Sequence, residues 1–303
     1  MTSSVSPQEL HDISTGGTPV TIIDTLPPEY WECGHIPGAV NACVYEMVFL
    51  EKVAASTSDH AMPIVVYGSS DRSRGAAVAA EKLTRAGYTN IRELAGGIEA
   101  WESAGFPLEP TGAQRVEEPV ISAGRYLIKP ELSRLEWMGR NVNNRHMGTI
   151  QLAGGEVHYG QDGFVGGAVT LAMDTIANLD LQDEEYRAML IRHLMSDDFF
   201  NVVRYPSASY TIHGSETLPN AAPGAPNYLI TGELELNGIT RRLHLPTEVV
   251  PLGNGQLKAH AAIDLDRTLW GAIYGSGRFF EKLGIHLVSD MVSIELFLVA
   301  ERA

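Results

Sequence analysis

Apolar positions follow two regimes along the chain. Between residues 6 and 108 they come in short unbroken runs, Val20-Thr-Ile-Ile-Asp24 and Ile64-Val-Val-Tyr67. Runs of that length and β-branched content suit strands covered on both faces of a parallel sheet. Helical stretches lie between and after them. The clearest covers 74–86, which is alanine-rich and closes on Ala86-Gly87, a C-terminal stop signal. Alternation of this kind predicts an α/β layer over residues 6–111.

From Pro107 to Pro119 the text lapses into Pro, Gly, Glu and Thr, and a linker is expected over 112–121. Beyond it, over 122–303, the period changes to two. Val165 to Asp174, Ser207 to Ile212, Tyr228 to Leu236, Arg241 to Val249, Gln256 to Leu265 and Met291 to Val299 all alternate. Asn237-Gly238 and Gly253-Asn-Gly255 supply turn signals between several of them. Many short strands at such spacing predict an antiparallel barrel or sandwich. One stretch breaks the pattern. Leu181 to Leu194 carries Tyr186, Leu190 and Leu194 at helical spacing behind Asp183-Glu184-Glu185, and is predicted as a helix lying across one end of the barrel. The fold class is therefore multidomain, α/β followed by all-β.

Composition narrows the partners. The 303 residues hold 37 acids against 22 bases, a net charge of −15, which repels a phosphate backbone and excludes nucleic acid as a partner. No segment approaches the ~18 apolar residues of a membrane span, and the start has neither a basic nor an apolar leader region. A cytoplasmic protein without an integral membrane segment is expected. Only Cys33 and Cys43 occur, with no CxxC spacing, so no disulfide framework is predicted.

Glu29-Tyr30, Gly34-His-Ile-Pro-Gly-Ala39 and Leu94-Ala-Gly-Gly-Ile-Glu-Ala-Trp101 resemble the rhodanese superfamily. The resemblance implies a parallel sheet with helices and, in active relatives, a Cys-x-x-x-x-Arg-Ser loop after the central strand. That cysteine needs a helix N-terminus to hold its thiolate. This chain has Tyr67-Gly68-Ser69-Ser70-Asp71-Arg72-Ser73 there. Counting back from Arg72 puts the nucleophile at Tyr67; aligning the strand puts it at Gly68. Neither is a thiol, so sulfurtransferase activity is not expected. The loop is read as degenerate, in a docking or regulatory module for a protein partner, with Asp71 and Arg72 at an anion-binding nest as a further reading. Cys33 is the other candidate thiol, and His35 is read as fixing its loop through hydrogen bonds.

The second region resembles the YceI-like family, on Tyr126-Leu-Ile-Lys-Pro130, Asn144-Arg-His-Met-Gly148, Gly166-Gly167, His193-Leu-Met-Ser-Asp-Asp-Phe-Phe200, Gly232-Glu-Leu-Glu-Leu-Asn-Gly-Ile-Thr240 and Tyr274-Gly-Ser-Gly277. The resemblance implies a lipocalin-like barrel holding an isoprenoid, quinone or other long lipid. A closed ring of about eight strands has room for one elongated guest. The expected ligand-binding set is Trp137, His146, Phe164, Val169, Leu171, Met173, His193, Met195, Phe199, Phe200, Tyr205 and Arg278.

The polar members admit three readings: structural hydrogen bonding, contact with a ligand head group, and a metal held by His146, His193 and an acid. The leading expectation is a lipophile carrier without cofactor or metal. The alternatives are a sulfurtransferase-type or a metal-assisted enzyme acting on a barrel-bound substrate.

Overall fold

The structure, a computed structural model, describes residues 3–110 and 119–303. The chain divides into two compact units, Met1–Glu117 and Glu118–Ala303. Of the linker expected over 112–121, residues 112–118 lie outside the described residues.

The first unit alternates strands β1 (Ser3–Val5), β2 (Thr21–Asp24), β3 (Val40–Asn41), β4 (Ile64–Tyr67) and β5 (Ile91–Leu94) with helices α1 (Pro7–Thr15), α2 (Pro28–Cys33), α3 (Phe49–Ser56), α4 (Gly75–Arg85) and α5 (Gly97–Ser103). The strands form a parallel sheet in the order β1-β5-β4-β2-β3. The unbroken apolar runs have their reason in the pleat. Ile23, Ile64 and Val66 enter one buried cluster with Phe49 and Leu83 from the helices. Their neighbours Ile22, Val65 and Tyr67 enter a second with Leu10 and Trp101. Successive side chains point to opposite faces, and both faces are covered, so apolar residues fill consecutive positions in these strands. Ser6 caps α1 by accepting from Glu9 N at 3.2 Å.

The second unit is a barrel. Its strands are β6 (Gly124–Ile128), β7 (Arg134–Arg140), β8 (Arg145–Tyr159), β9 (Phe164–Asn178), β10 (Ser207–Thr217), β11 (Tyr228–Leu236), β12 (Ile239–Leu252), β13 (Gln256–Asp266) and β14 (Met291–Arg302). One helix, α6 (Glu184–Met195), follows β9. Every neighbour pair is antiparallel, and pairing of β13 with β14 closes the ring. The short strands β6 and β7 both lie between β8 and β14, β6 against Glu156–Tyr159 and β7 against Arg145–Ile150 of β8. They share one place, so the closed ring has eight positions. Closure leaves no unpaired edge.

Inward side chains fill the two ends of this ring differently. At the β6 end Tyr126, Leu152, Val157, Phe164, Tyr228, Val249, Leu257 and Ala300 are all buried in one cluster. There Tyr159, Phe164 and Tyr228 pack edge to face, with centroids 5.2 to 6.4 Å apart. The Tyr159 and Tyr228 hydroxyls meet at 3.0 Å. Burial, with that hydrogen bond behind it, holds the Tyr228 phenol well above its usual pKa. The β7 end is hollow.

Candidate functional site

The hollow end is a cavity of about 580 Å³, within the range of roughly 300–1,000 Å³ typical of small-molecule sites. Its walls are the inward residues of successive strands: Val169, Leu171 and Met173 of β9, Ala208 and Tyr210 of β10, Leu234 and Leu236 of β11, Leu243 and Leu245 of β12, Ile263 and Leu265 of β13, Ile294 and Leu296 of β14. Each strand's alternation places these on one face, and the same strands continue into the packed end. Trp137 of β7 adds an indole whose edge lies over Gly148 of β8. A Cβ on Gly148 would fall 2.6 Å from that ring, so glycine is required for the wall to form.

Polar groups gather at the mouth, framed by α6, the β7–β8 turn and the irregular segment 267–289. Arg140, Asn141, His146, His193, Arg267, Tyr274, His286 and Ser289 line the cavity there. His146 Nδ1 lies 2.9 Å from Asp180 Oδ2. A carboxylate only accepts, so Nδ1 carries the hydrogen. Burial alone would raise the Asp180 pKa, but hydrogen bonds from Met147 N, His146 and Asn178 outweigh it and lower the carboxyl below its usual range. His193 is held by Asp198 at 3.3 Å and packs edge-on against Phe199 and Tyr274.

Arg267 is 2% exposed. Its Nε and both terminal nitrogens donate to the carbonyls of Ser289, Ala272, Tyr274 and Val288. It thereby ties the mouth segment to the end of β13. Burial lowers its pKa, and Asp290 and Asp266 restore it only in part.

In the first unit, the loop after β4 is closed by its own backbone. Gly68 O and Ser69 O accept from Ile98 N and Glu99 N of α5, and Asp71 Oδ1 accepts from Gly96 N at 2.7 Å. Tyr67 is not part of this loop: it is the last residue of β4, fully buried, with its hydroxyl accepting from Ile36 N at 3.1 Å. Gly68 is the first residue after β4. A Cβ there would lie 3.6 Å from Ala76 N, in the first turn of α4. Among the described residues the Arg72 side chain pairs with Glu99, at 3.5 Å, and both are exposed. Cys33 ends α2, Cys43 is buried, and both are free. His35 stacks on Trp31 at 4.0 Å and bonds its carbonyl through Nδ1.

Below the loop, Asp24 is fully buried. Its Oδ1 accepts from Leu26 N, and its Oδ2 has no hydrogen-bond partner among the described residues. Burial raises its pKa to about 6. The Tyr67 hydroxyl, nearby but short of hydrogen-bond geometry to Oδ2, and the Leu26 N–H pull it back only in part.

Residues 126–300 match the YceI-like domain, over half of the chain. The chain belongs to the YceI-like family. Its first unit is a rhodanese-like domain, matched over residues 6–104. Among curated proteins, an HTH-type transcriptional regulator of Mycobacterium tuberculosis is 33% identical over 94 residues, which is 30% of this chain and 38% of that protein. The chain thus spans well under half of that relative's length. Among solved structures, Burkholderia cenocepacia BcnA is 19% identical, covering 57% of this chain and 98% of its own, with a TM-score of 0.44. A polyisoprenoid binding domain from Saccharophagus degradans is 12% identical, covering 60% of this chain and 100% of its own, with a TM-score of 0.43.

In this YceI-like barrel, Trp137, His146, Val169, Leu171, Met173, His193, Phe199 and Phe200 of the expected set line the cavity. Four do not. Phe164 belongs to the aromatic floor of the packed end. Met195 faces the barrel core behind α6. Tyr205 covers the Asn237-Gly238 turn, its ring where a Gly238 Cβ would be. Arg278 is exposed and pairs with Asp266 at 2.8 Å and Asp290 at 3.1 Å. No group of three or more His, Cys, Asp or Glu side chains is arranged to hold a metal among the described residues.

Sequence reasoning missed Arg140, Asn141, Arg267, Tyr274, His286 and Ser289. A signal for the last four was present: 267–290 is a long, glycine-rich interval without alternation between two barrel strands, and such loops usually carry function.

Proposed function

We propose that the barrel carries a single-chain lipophile of isoprenoid, quinone or fatty-acyl type, and that the rhodanese-like domain is a docking or regulatory module for a protein partner and transfers no sulfur. The observation that carries the first part is the apolar-walled cavity of about 580 Å³ at one end of a barrel whose other end is solidly packed. Covering a guest's apolar surface contributes roughly 25 cal/mol per Å². A long chain therefore needs no polar contact along the walls. The second part rests on Gly68, where no side chain exists to accept sulfur.

Organic extraction of the purified protein followed by mass spectrometry tests the carrier reading. A stoichiometric lipid is expected from the wild type. Ala208→Phe, which pushes a ring into the cavity from β10, is expected to lose that lipid while remaining folded. Wild-type protein that neither retains nor takes up any long-chain compound would overturn the reading.

A further inference from the structure

The chain has an excess of acids, 37 against 22 bases, yet no Asp or Glu lines the cavity among the described residues. What lines the space at the mouth is the buried Arg267 and three histidines, His146, His193 and His286, whereas the Arg140 guanidinium turns outward to Ser293 Oγ at 2.8 Å. The nearby carboxylates stand behind these groups. Asp180 holds His146, Asp198 holds His193, and Asp266 and Asp290 are engaged by Arg278. Asp180 and Asp198 thereby orient imidazoles, Asp266 and Asp290 are turned to Arg278, and none of the four lines the cavity.

Arg267 sharpens the point. It is a fully buried cation whose closest carboxylate oxygen, Asp290 Oδ1, lies 4.0 Å away, with Asp266 acting on it from further off. Asp290 is also shared with Arg278. A charge in so dry a place acts over distance with little screening, and an anion placed in the adjoining space is drawn to it. A cationic head would be repelled by that guanidinium, and a neutral one would gain only ordinary hydrogen bonds.

Resting on the carrier reading, we infer that the barrel's guest is an anionic single-chain amphiphile: its acidic head lies at the mouth among His146, His193 and His286, beside the buried Arg267, and its chain runs toward the aromatic floor. The shared chemistry is a carboxylate or phosphate head on one apolar chain.

The test uses the delipidated full chain and four probes with the same tail: hexadecanoate, hexadecyl phosphate, hexadecanol and hexadecylamine, each titrated below its aggregation limit by displacement of a fluorescent lipid probe. The carboxylate or the phosphate is expected to bind about tenfold tighter than the alcohol, with the amine weakest. Whichever anion binds tighter names the source of the head. The variant His286→Gln alters one exposed side chain, so folding is not at risk. It is expected to shrink the acid-to-alcohol ratio. An alcohol or amine that binds as tightly as the acids overturns this inference and leaves the carrier reading standing. An unchanged ratio in that variant overturns the placement of the head. Failure of all four probes to bind overturns both readings.

Discussion

The two units treat their candidate sites in opposite ways. In the rhodanese-like domain the space after β4 is closed: loop carbonyls occupy the first N–H groups of α5, and the loop opens on a glycine, Gly68. A carboxyl, Asp24, is buried beneath it with one oxygen unpaired. In the barrel half of the interior is left empty, and no carboxyl is shown to it among the described residues. The first unit keeps its family's recognisable motifs around a filled place. The second has its chemistry partly in such segments, at His146 and His193, and partly in residues that carry no motif, around an empty one. Room, more than motif, marks where a ligand can be held.

The contrast extends inside the barrel, and the largest expected effect tests it there. Tyr228 fills the packed end, whereas Leu245 looks into the cavity. Tyr228→Ala removes a ring from a close-packed floor and is expected to lower unfolding stability by about 3–5 kcal/mol. Leu245→Ala only enlarges an existing space, and about 1–2 kcal/mol is expected of it. Urea melts of both variants, delipidated, supply the comparison. Equal losses would mean that the hollow end is not hollow in solution.

Those two residues also mark the limit of what the sequence discloses. Leu245 and Val249 lie on one strand and one face. In the text they are the same signal, inward apolar positions of a period-two run. Whether an inward residue touches a neighbour or a void depends on side chains brought round the ring from every other strand, and no local window contains them.

Alternation did locate β11, whose bounds Tyr228–Leu236 match the predicted run. It did not disclose β8 as a strand. Gly148, Gly154 and Gly155 interrupt its apolar pattern, and its register against β9 shifts three times. The polar mouth was half legible for a related reason. His146 and His193 stand in recognisable segments, but Arg140, His286 and Ser289 reach the same space from positions far apart in the chain.

The second effect concerns the carboxyl that the first unit buries and the barrel keeps from its cavity wall. Unfolded Asp24 ionises near 3.8, and folded Asp24 near 6. Between those values the native state binds more protons than the unfolded one, so stability falls as pH rises through that window and stays lower above it. At 1.36 kcal/mol per pH unit the difference is about 3 kcal/mol. Asp24→Asn keeps an oxygen for Leu26 N and removes the titration. Its stability relative to wild type should therefore increase by up to about 3 kcal/mol between pH 4 and pH 7. Denaturant melts at both pH values measure it. A wild type and variant whose difference does not change with pH would show that the carboxyl is paired after all.

The smallest effect separates two glycines of the closed loop. Gly97 has φ +61°, and a Cβ there would fall 2.5 Å from Gly68 O. Gly97→Ala meets both backbone strain and a fixed carbonyl, and a loss of about 2 kcal/mol or more is expected. Gly68 faces only ordinary contacts, none closer than 3.6 Å. A side chain there restricts the unfolded chain without crowding the folded one, so Gly68→Cys should change stability by less than about 1 kcal/mol in either direction. Its sulfur would sit at the first turn of α4, where backbone N–H groups and the helix dipole favour a thiolate. Thermal melts and thiol titration of the native protein read the two halves of this expectation. If Gly68→Cys destabilises as much as Gly97→Ala, the loop is closed by packing as well as by the missing thiol. If it is neutral and its thiol reacts with reagent, the closure lies in one atom group, and the rhodanese-like domain has kept the frame of a site that only its sequence at position 68 withholds.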